Sequence, residues 1–307
     1  MRFVLTWALD PKRKSGALMN DLYLLRSGAA VALILLISLP QPVRGQEAHV
    51  YNFADIEGNR IAWSCEGTGN PTIALVEGSG LTAHDSFGRT YHKYHGPGRI
   101  CMYDRAGIGK STFPHPRNRT LAELANELHE LGASQKWGSL IIVAHSFGGF
   151  VARAYAAQYP DETLGILFLD TIHEDWLPRL KAEMTPADWA IMDSTVSWTL
   201  RTFHEDVYEA QEAVRGFAIR DDLPVTVISR GLPHTTVRVA GMSYEGVDLF
   251  NAEHDALQAK LIALSSNTEH RVARYSSHLV DDTDPLLVIE EIEKLVKRSS
   301  SDHEVRR

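Results

Sequence analysis

The chain of 307 residues can hold one large α/β domain or two small ones, and its 44% hydrophobic and 23% charged content is that of an ordinary globular protein. Its formal net charge is -8, and residues 1–45 carry six basic and two acidic residues, so losing them would leave -12. A surface so acidic repels phosphate backbones, which argues against a nucleic-acid partner.

Arg26 precedes the apolar run from Ala29 to Leu39, which is broken by Ser38 and ended by Pro40 and Pro42. That run is shorter than the roughly 18–20 residues that span a bilayer. Val43-Arg44-Gly45 puts small residues at the two positions a signal peptidase inspects. The first expectation is therefore a secretory signal within residues 1–45, cleaved before Gln46, and export to the periplasm or the medium. An uncleaved N-terminal membrane anchor and a buried helix are the competing readings. Met19 is an alternative start that would give a signal of ordinary length.

Val50 to Phe53 and Arg60 to Cys65 read as strands joined by a turn over Asp55 to Asn59. After a loop from Gly67 to Pro71, Thr72 to Val76 is a buried strand. Glu77-Gly78-Ser79-Gly80 follows at once. Such a glycine turn lets backbone N–H groups face a reacting oxygen, although an ordinary β-turn has the same composition. Arg99 to Tyr103 is another strand, and Gly107 and Gly109 punctuate the loop after it. The spacing there is not that of a phosphate-binding P-loop. Thr120 with Glu123 forms a capping box, and Leu121, Leu124, Leu128 and Leu131 form the apolar stripe of a helix that Gly132 ends.

Leu140-Ile-Ile-Val-Ala-His-Ser-Phe-Gly-Gly149 is the most informative stretch. A buried strand, a sharp turn carrying Ser146 and an alanine-rich helix from Phe147 to Gln158 make the context of a nucleophile elbow. Ala144 and Gly148 supply the small flanking residues that let strand and helix pass closely. Leu164 to Leu169 is a strand ending at Asp170. Residues 176–222 then break the alternation. Thr185, Pro186 and Asp188 start a helix, and Trp176, Trp189, Trp198 and Phe203 make the stretch aromatic. A helical cap inserted over the site is expected, whose aromatics either wall a pocket or glue the cap down. The alternation resumes with a strand from Leu223 to Ser229, helical material from about Asn251 to Ser265, and a last strand from His270 to Tyr275. Ser276-Ser277-His278 follows. Asp284 and Pro285 open a final helix to about Lys297, and the polar residues 299–307 read as a disordered tail.

Strands and helices alternating in this way predict the α/β class, with a mainly parallel eight-stranded sheet flanked by helices. The order Ser146, Asp170, His278, together with the elbow and the Tyr103-Asp-Arg-Ala-Gly-Ile-Gly-Lys-Ser111 loop, resembles the α/β-hydrolase superfamily. The resemblance covers about residues 50–298, with the core in 46–175 and 223–298. It implies Ser146 as nucleophile, His278 as general base and Asp170 as the acid that orients the imidazole. Many members carry the acid one strand later, where Arg230-Gly-Leu-Pro-His234 here holds no carboxylate. Glu174 and Asp175 are the alternatives to Asp170. The oxyanion hole would be the backbone N–H of Phe147 and that of Ser79 or Gly80. Glu77 stands where members often have histidine, and an ionised carboxylate there would oppose developing negative charge. His145 and Trp176 are expected to shape the substrate pocket. The family's strand order sets the second strand beside the fourth, which would pair Cys65 with Cys101 in a disulfide.

The histidine clusters His92-Lys-Tyr-His95 and His173-Glu-Asp175 have no zinc-site spacing, so neither a metal nor another cofactor is expected. The expected activity is hydrolysis of small carboxylic esters, with an apolar acyl group, through an acyl-enzyme. Amides, thioesters and carbon–carbon bonds are alternatives. A slow-turnover binding or receptor protein on the same fold is the competing class.

Overall fold

The computed structural model describes residues 50–238 and 240–305; the segment read as a signal or anchor lies outside them. Eight strands form one sheet: β1 (Asn52–Ile56), β2 (Asn59–Gly67), β3 (Thr72–Val76), β4 (Arg99–Tyr103), β5 (Leu140–His145), β6 (Thr163–Leu169), β7 (Val225–Arg230) and β8 (Thr268–Ala273). Their order is β1-β2-β4-β3-β5-β6-β7-β8. β2 pairs antiparallel with β1 and with β4, and the remaining neighbours are parallel. The helices are α1 (Ala83–Lys93), α2 (Leu121–Ser134), α3 (Gly148–Gln158), α4 (Trp176–Glu183), α5 (Pro186–Phe203), α6 (Val207–Ala213), α7 (Tyr244–Ile262), α8 (Val280–Thr283) and α9 (Pro285–Val305). Among the described residues no helix is long and apolar enough to cross a membrane.

The pleat divides the core into two layers, because successive side chains of a strand point to opposite faces. Ile73, Leu75, Ile141, Val143, Leu167 and Ile228 pack with Phe87 and Tyr91 of α1 and Val288, Ile292 and Leu295 of α9. Ala74, Val76, Ile142, Ala144, Phe168 and Val227 pack on the other face with α2, α3 and α7. Both faces being covered is what the unbroken apolar runs of β3 and β5 imply. Cys65 stands directly opposite Cys101 in the β2–β4 register, and the two form a disulfide.

The differences from the sequence reading are local. The first turn is only Glu57-Gly58, with φ of 50° and 79°. Two successive left-handed residues match the twist of a hairpin, so the strands extend further toward the turn than the Asp55–Asn59 reading allows. Helix α1 went unread although its signal is present: Thr82 and Asp85 form a reciprocal capping box. α7 starts at Tyr244 rather than about Asn251, because the Ser243 hydroxyl accepts the amide of Gly246. β8 lies two residues earlier than expected. The expected disordered tail is a correction, since α9 runs unbroken to Val305. Arg298 anchors that stretch by donating to the carbonyl of Asn267, and Ser299 is buried.

Candidate active site

The turn between β5 and α3 forces Ser146 into left-handed backbone geometry, φ 51°. For a non-glycine residue that is strain the surroundings must hold. The Ser146 amide donates to Leu169 O at 3.2 Å, and its carbonyl accepts from Gly149 at 3.1 Å. Gly148 is required by space: a Cβ there would lie 2.4 Å from Val76 O and 2.8 Å from Glu77 O. Helix α3 and strand β3 therefore approach as the Ala144/Gly148 pattern implies.

Asp170 leaves the end of β6 with φ 44° and is fully buried. Its Oδ2 accepts from His278 Nδ1 at 2.7 Å, across 108 residues of sequence. Arg230 clasps the same carboxylate, its backbone amide donating to Oδ1 at 3.1 Å and its guanidinium to Oδ2 at 3.0 Å. Burial alone would raise this carboxyl, but the His278 bond and the neighbouring His254 and Arg230 hold it far below the usual carboxylate range. Glu174 instead binds Arg153, and Asp175 binds Arg215 and Lys260. Of the three carboxylates, Asp170 is the one brought to His278.

His278 is sandwiched. Its ring stacks on His234 at 4.9 Å and 13°, and packs on His145 at 4.6 Å. His145, next to Ser146, is buried, and its Nε2–H donates to the backbone carbonyl of His278 at 3.0 Å. Burial brings the pKa of His145 down to about 3, and His234 is also held well below the ordinary value by burial and by the His278 and Arg230 charges. Two neutral imidazoles thus flank the His278 ring. With Nδ1 engaged by Asp170, Nε2 is the ring nitrogen of His278 left over. Among the described residues the Ser146 hydroxyl makes no hydrogen bond; such contacts often tighten only around substrate.

The amides of Phe147, at the start of α3, and of Ser79 have no acceptor among the described residues, whereas the Gly80 amide donates to Glu205 Oε2 at 3.2 Å. Ser79 rather than Gly80 is left free to receive an anion. Glu77 is fully buried below this loop, and Arg105 donates to its Oε1 from the backbone at 3.0 Å. Burial pushes the Glu77 carboxyl up to about 8, even though Arg105 pulls the other way. The Arg105 guanidinium also lies 3.2 Å from Glu77 Oε1, so a charge on this carboxyl would be paired beneath the loop.

Trp176 is buried, its indole donates to Phe250 O at 3.3 Å, and it packs on Phe250 and His254. It joins α4 to α7. Phe203, at the end of α5, packs against the Glu77–Gly80 loop: a Cβ on Gly80 would lie 2.4 Å from its ring. Clefts lined by Glu66, Tyr94 and Gly98 and by His129, Tyr155 and Glu162 do not have Ser146 in their lining. Sequence reasoning missed Arg230, His234, His254 and Glu205. None belongs to a spaced motif, and only the fold collects them.

A family profile described as alpha/beta hydrolase fold matches residues 98–216. A Gibberella zeae AB hydrolase superfamily protein is 23% identical over 254 residues, covering 65% of this chain and 78% of its own. Two further curated relatives are matched over only 36% and 30% of their own length. Among solved structures, mouse alpha/beta hydrolase domain-containing protein 10 has a TM-score of 0.59 at 13% identity, covering 81% of this chain and 99% of that one. A thermophilic esterase from Thermogutta terrifontis gives 0.55 at 17%, covering 82% and 99%. The profile match over residues 98–216, the strand order and the structural likeness agree that the chain has the α/β-hydrolase fold.

Proposed function

We propose that the protein is a serine hydrolase that cleaves carboxylic esters, with Ser146, His278 and Asp170 as its triad. The observation that carries this reading is the 2.7 Å His278–Asp170 bond formed beside a left-handed Ser146. Ser146 Oγ attacks the acyl carbon while its proton passes to His278 Nε2. The carbonyl oxygen gains the negative charge between the amides of Phe147 and Ser79. Collapse breaks the bond to the alcohol, which leaves with the proton held by His278. Water then repeats the sequence on the acyl-enzyme and frees Ser146. Asp170 stays ionised throughout and steadies the imidazolium.

Labelling by a fluorophosphonate tests this directly. Prompt labelling and p-nitrophenyl ester hydrolysis that both vanish in Ser146→Ala support the enzyme. A folded wild-type chain that does not label excludes it. A slow-turnover binding protein is the second reading, favoured by Arg230 sharing the acid and by the unbonded Ser146 hydroxyl. It predicts labelling with almost no turnover across acyl lengths, amides and thioesters.

A further inference from the structure

Glu205 follows α5 in the inserted helical segment, yet it is fully buried, and its carboxylate spans two partners. Oε1 accepts from Arg105 Nε at 2.6 Å, and Oε2 accepts from the Ser79 hydroxyl at 2.8 Å and the Gly80 amide at 3.2 Å. Arg105 in turn donates to the carbonyls of Glu77 at 2.7 Å and Gly78 at 3.0 Å. The four residues of the oxyanion loop are thus tied one after another, two by the guanidinium and two by the carboxylate. A backbone bridge between Arg119 and Glu205 fixes the carboxylate's own chain, and Phe203 packs on Gly80 two residues earlier.

A buried ion pair serving stability alone needs only the Arg105 side of this carboxylate. The second oxygen is spent on the loop, and its bonds leave the intervening Ser79 amide without an acceptor among the described residues. We propose that Glu205 is a positioning residue for the oxyanion hole, through which the inserted segment holds the Ser79 amide in place. The inference rests on the reading of Ser146 as nucleophile. Its consequence is that displacing the insertion dismantles the oxyanion hole, so the site is assembled only while the segment is seated.

Glu205→Gln separates this role from general stability. Glutamine offers one acceptor oxygen, which the Arg105 cation takes, leaving an amide NH2 facing the Gly80 N–H, donor against donor. In the full-length variant, hydrogen–deuterium exchange of the peptide spanning residues 77–82 should rise while β5 keeps its protection. Ester kcat should fall on the order of 10- to 100-fold with KM little changed, because the donor acts mainly in the transition state. Wild-type exchange in that peptide, or protection lost evenly through the sheet, would overturn the proposal. So would unchanged kcat in an enzyme whose wild type labels with fluorophosphonate. Should the wild type not label, the nucleophile reading falls alone; raised exchange confined to the loop still supports the anchoring, and unchanged exchange ends it.

Discussion

Replacing Glu77 by glutamine tests whether the acid beneath the oxyanion loop is neutral in the folded protein. Glutamine keeps the acceptor that Arg105 uses and puts a donor where the acid carries its proton, at the partnerless Oε2. The folded value of about 8 stands above an ordinary value of 4.5. Between those limits the native state holds a proton that the unfolded chain has released. Wild-type stability is therefore full below about pH 4.5 and falls as pH rises toward about 8. At about 1.4 kcal/mol per unit, the loss is on the order of 5 kcal/mol. Glu77→Gln lacks this proton, so its stability relative to wild type should grow by that amount across the window. Urea unfolding of both disulfide-intact chains at pH steps between about 4 and 9 gives the comparison, and groups common to both chains cancel. Parallel curves would refute the reasoning. A wild type that gains on the variant as pH rises would show an ionised, paired carboxylate instead.

Asp170→Asn should lower ester kcat by about 10⁴-fold, because the amide no longer enforces the His278 tautomer. Asp175→Asn should change kcat little, since Asp175 pairs with Arg215 and Lys260; steady-state ester kinetics compare the two, and the reverse ranking would move the acid. Reduction of Cys65–Cys101, 36 residues apart, should destabilise the chain by about 4 kcal/mol on loop entropy, read as a lower urea midpoint in reductant. An unchanged midpoint would show that the β2–β4 pairing is held by the sheet alone.

Local rules carried much of the fold because they act over a few residues. The unbroken apolar runs of β3 and β5, the Thr120/Glu123 capping box and the Ala144-x-Ser146-x-Gly148 turn are contacts within one or two turns of chain, so composition and spacing expose them. The same holds for Pro285 opening α9. Errors arose where a local signal was overlooked, as at the Thr82/Asp85 cap, or where composition stood in for packing. The chain after Lys297 is polar yet remains helical to Val305, with Arg298 bonded to Asn267.

By itself the sequence determined the alternation of strands and helices, the strained serine turn and a late histidine. Those follow from backbone sterics and hydrophobic period. Only the tertiary structure decided which carboxylate meets His278, that His145 and His234 flank it, that Glu77 is buried beside Arg105, and that Glu205 reaches the Glu77–Gly80 loop. Partners 100 to 133 residues apart have no sequence period linking them. Their energies depend on the solvent the fold excludes, which no window of neighbouring residues records.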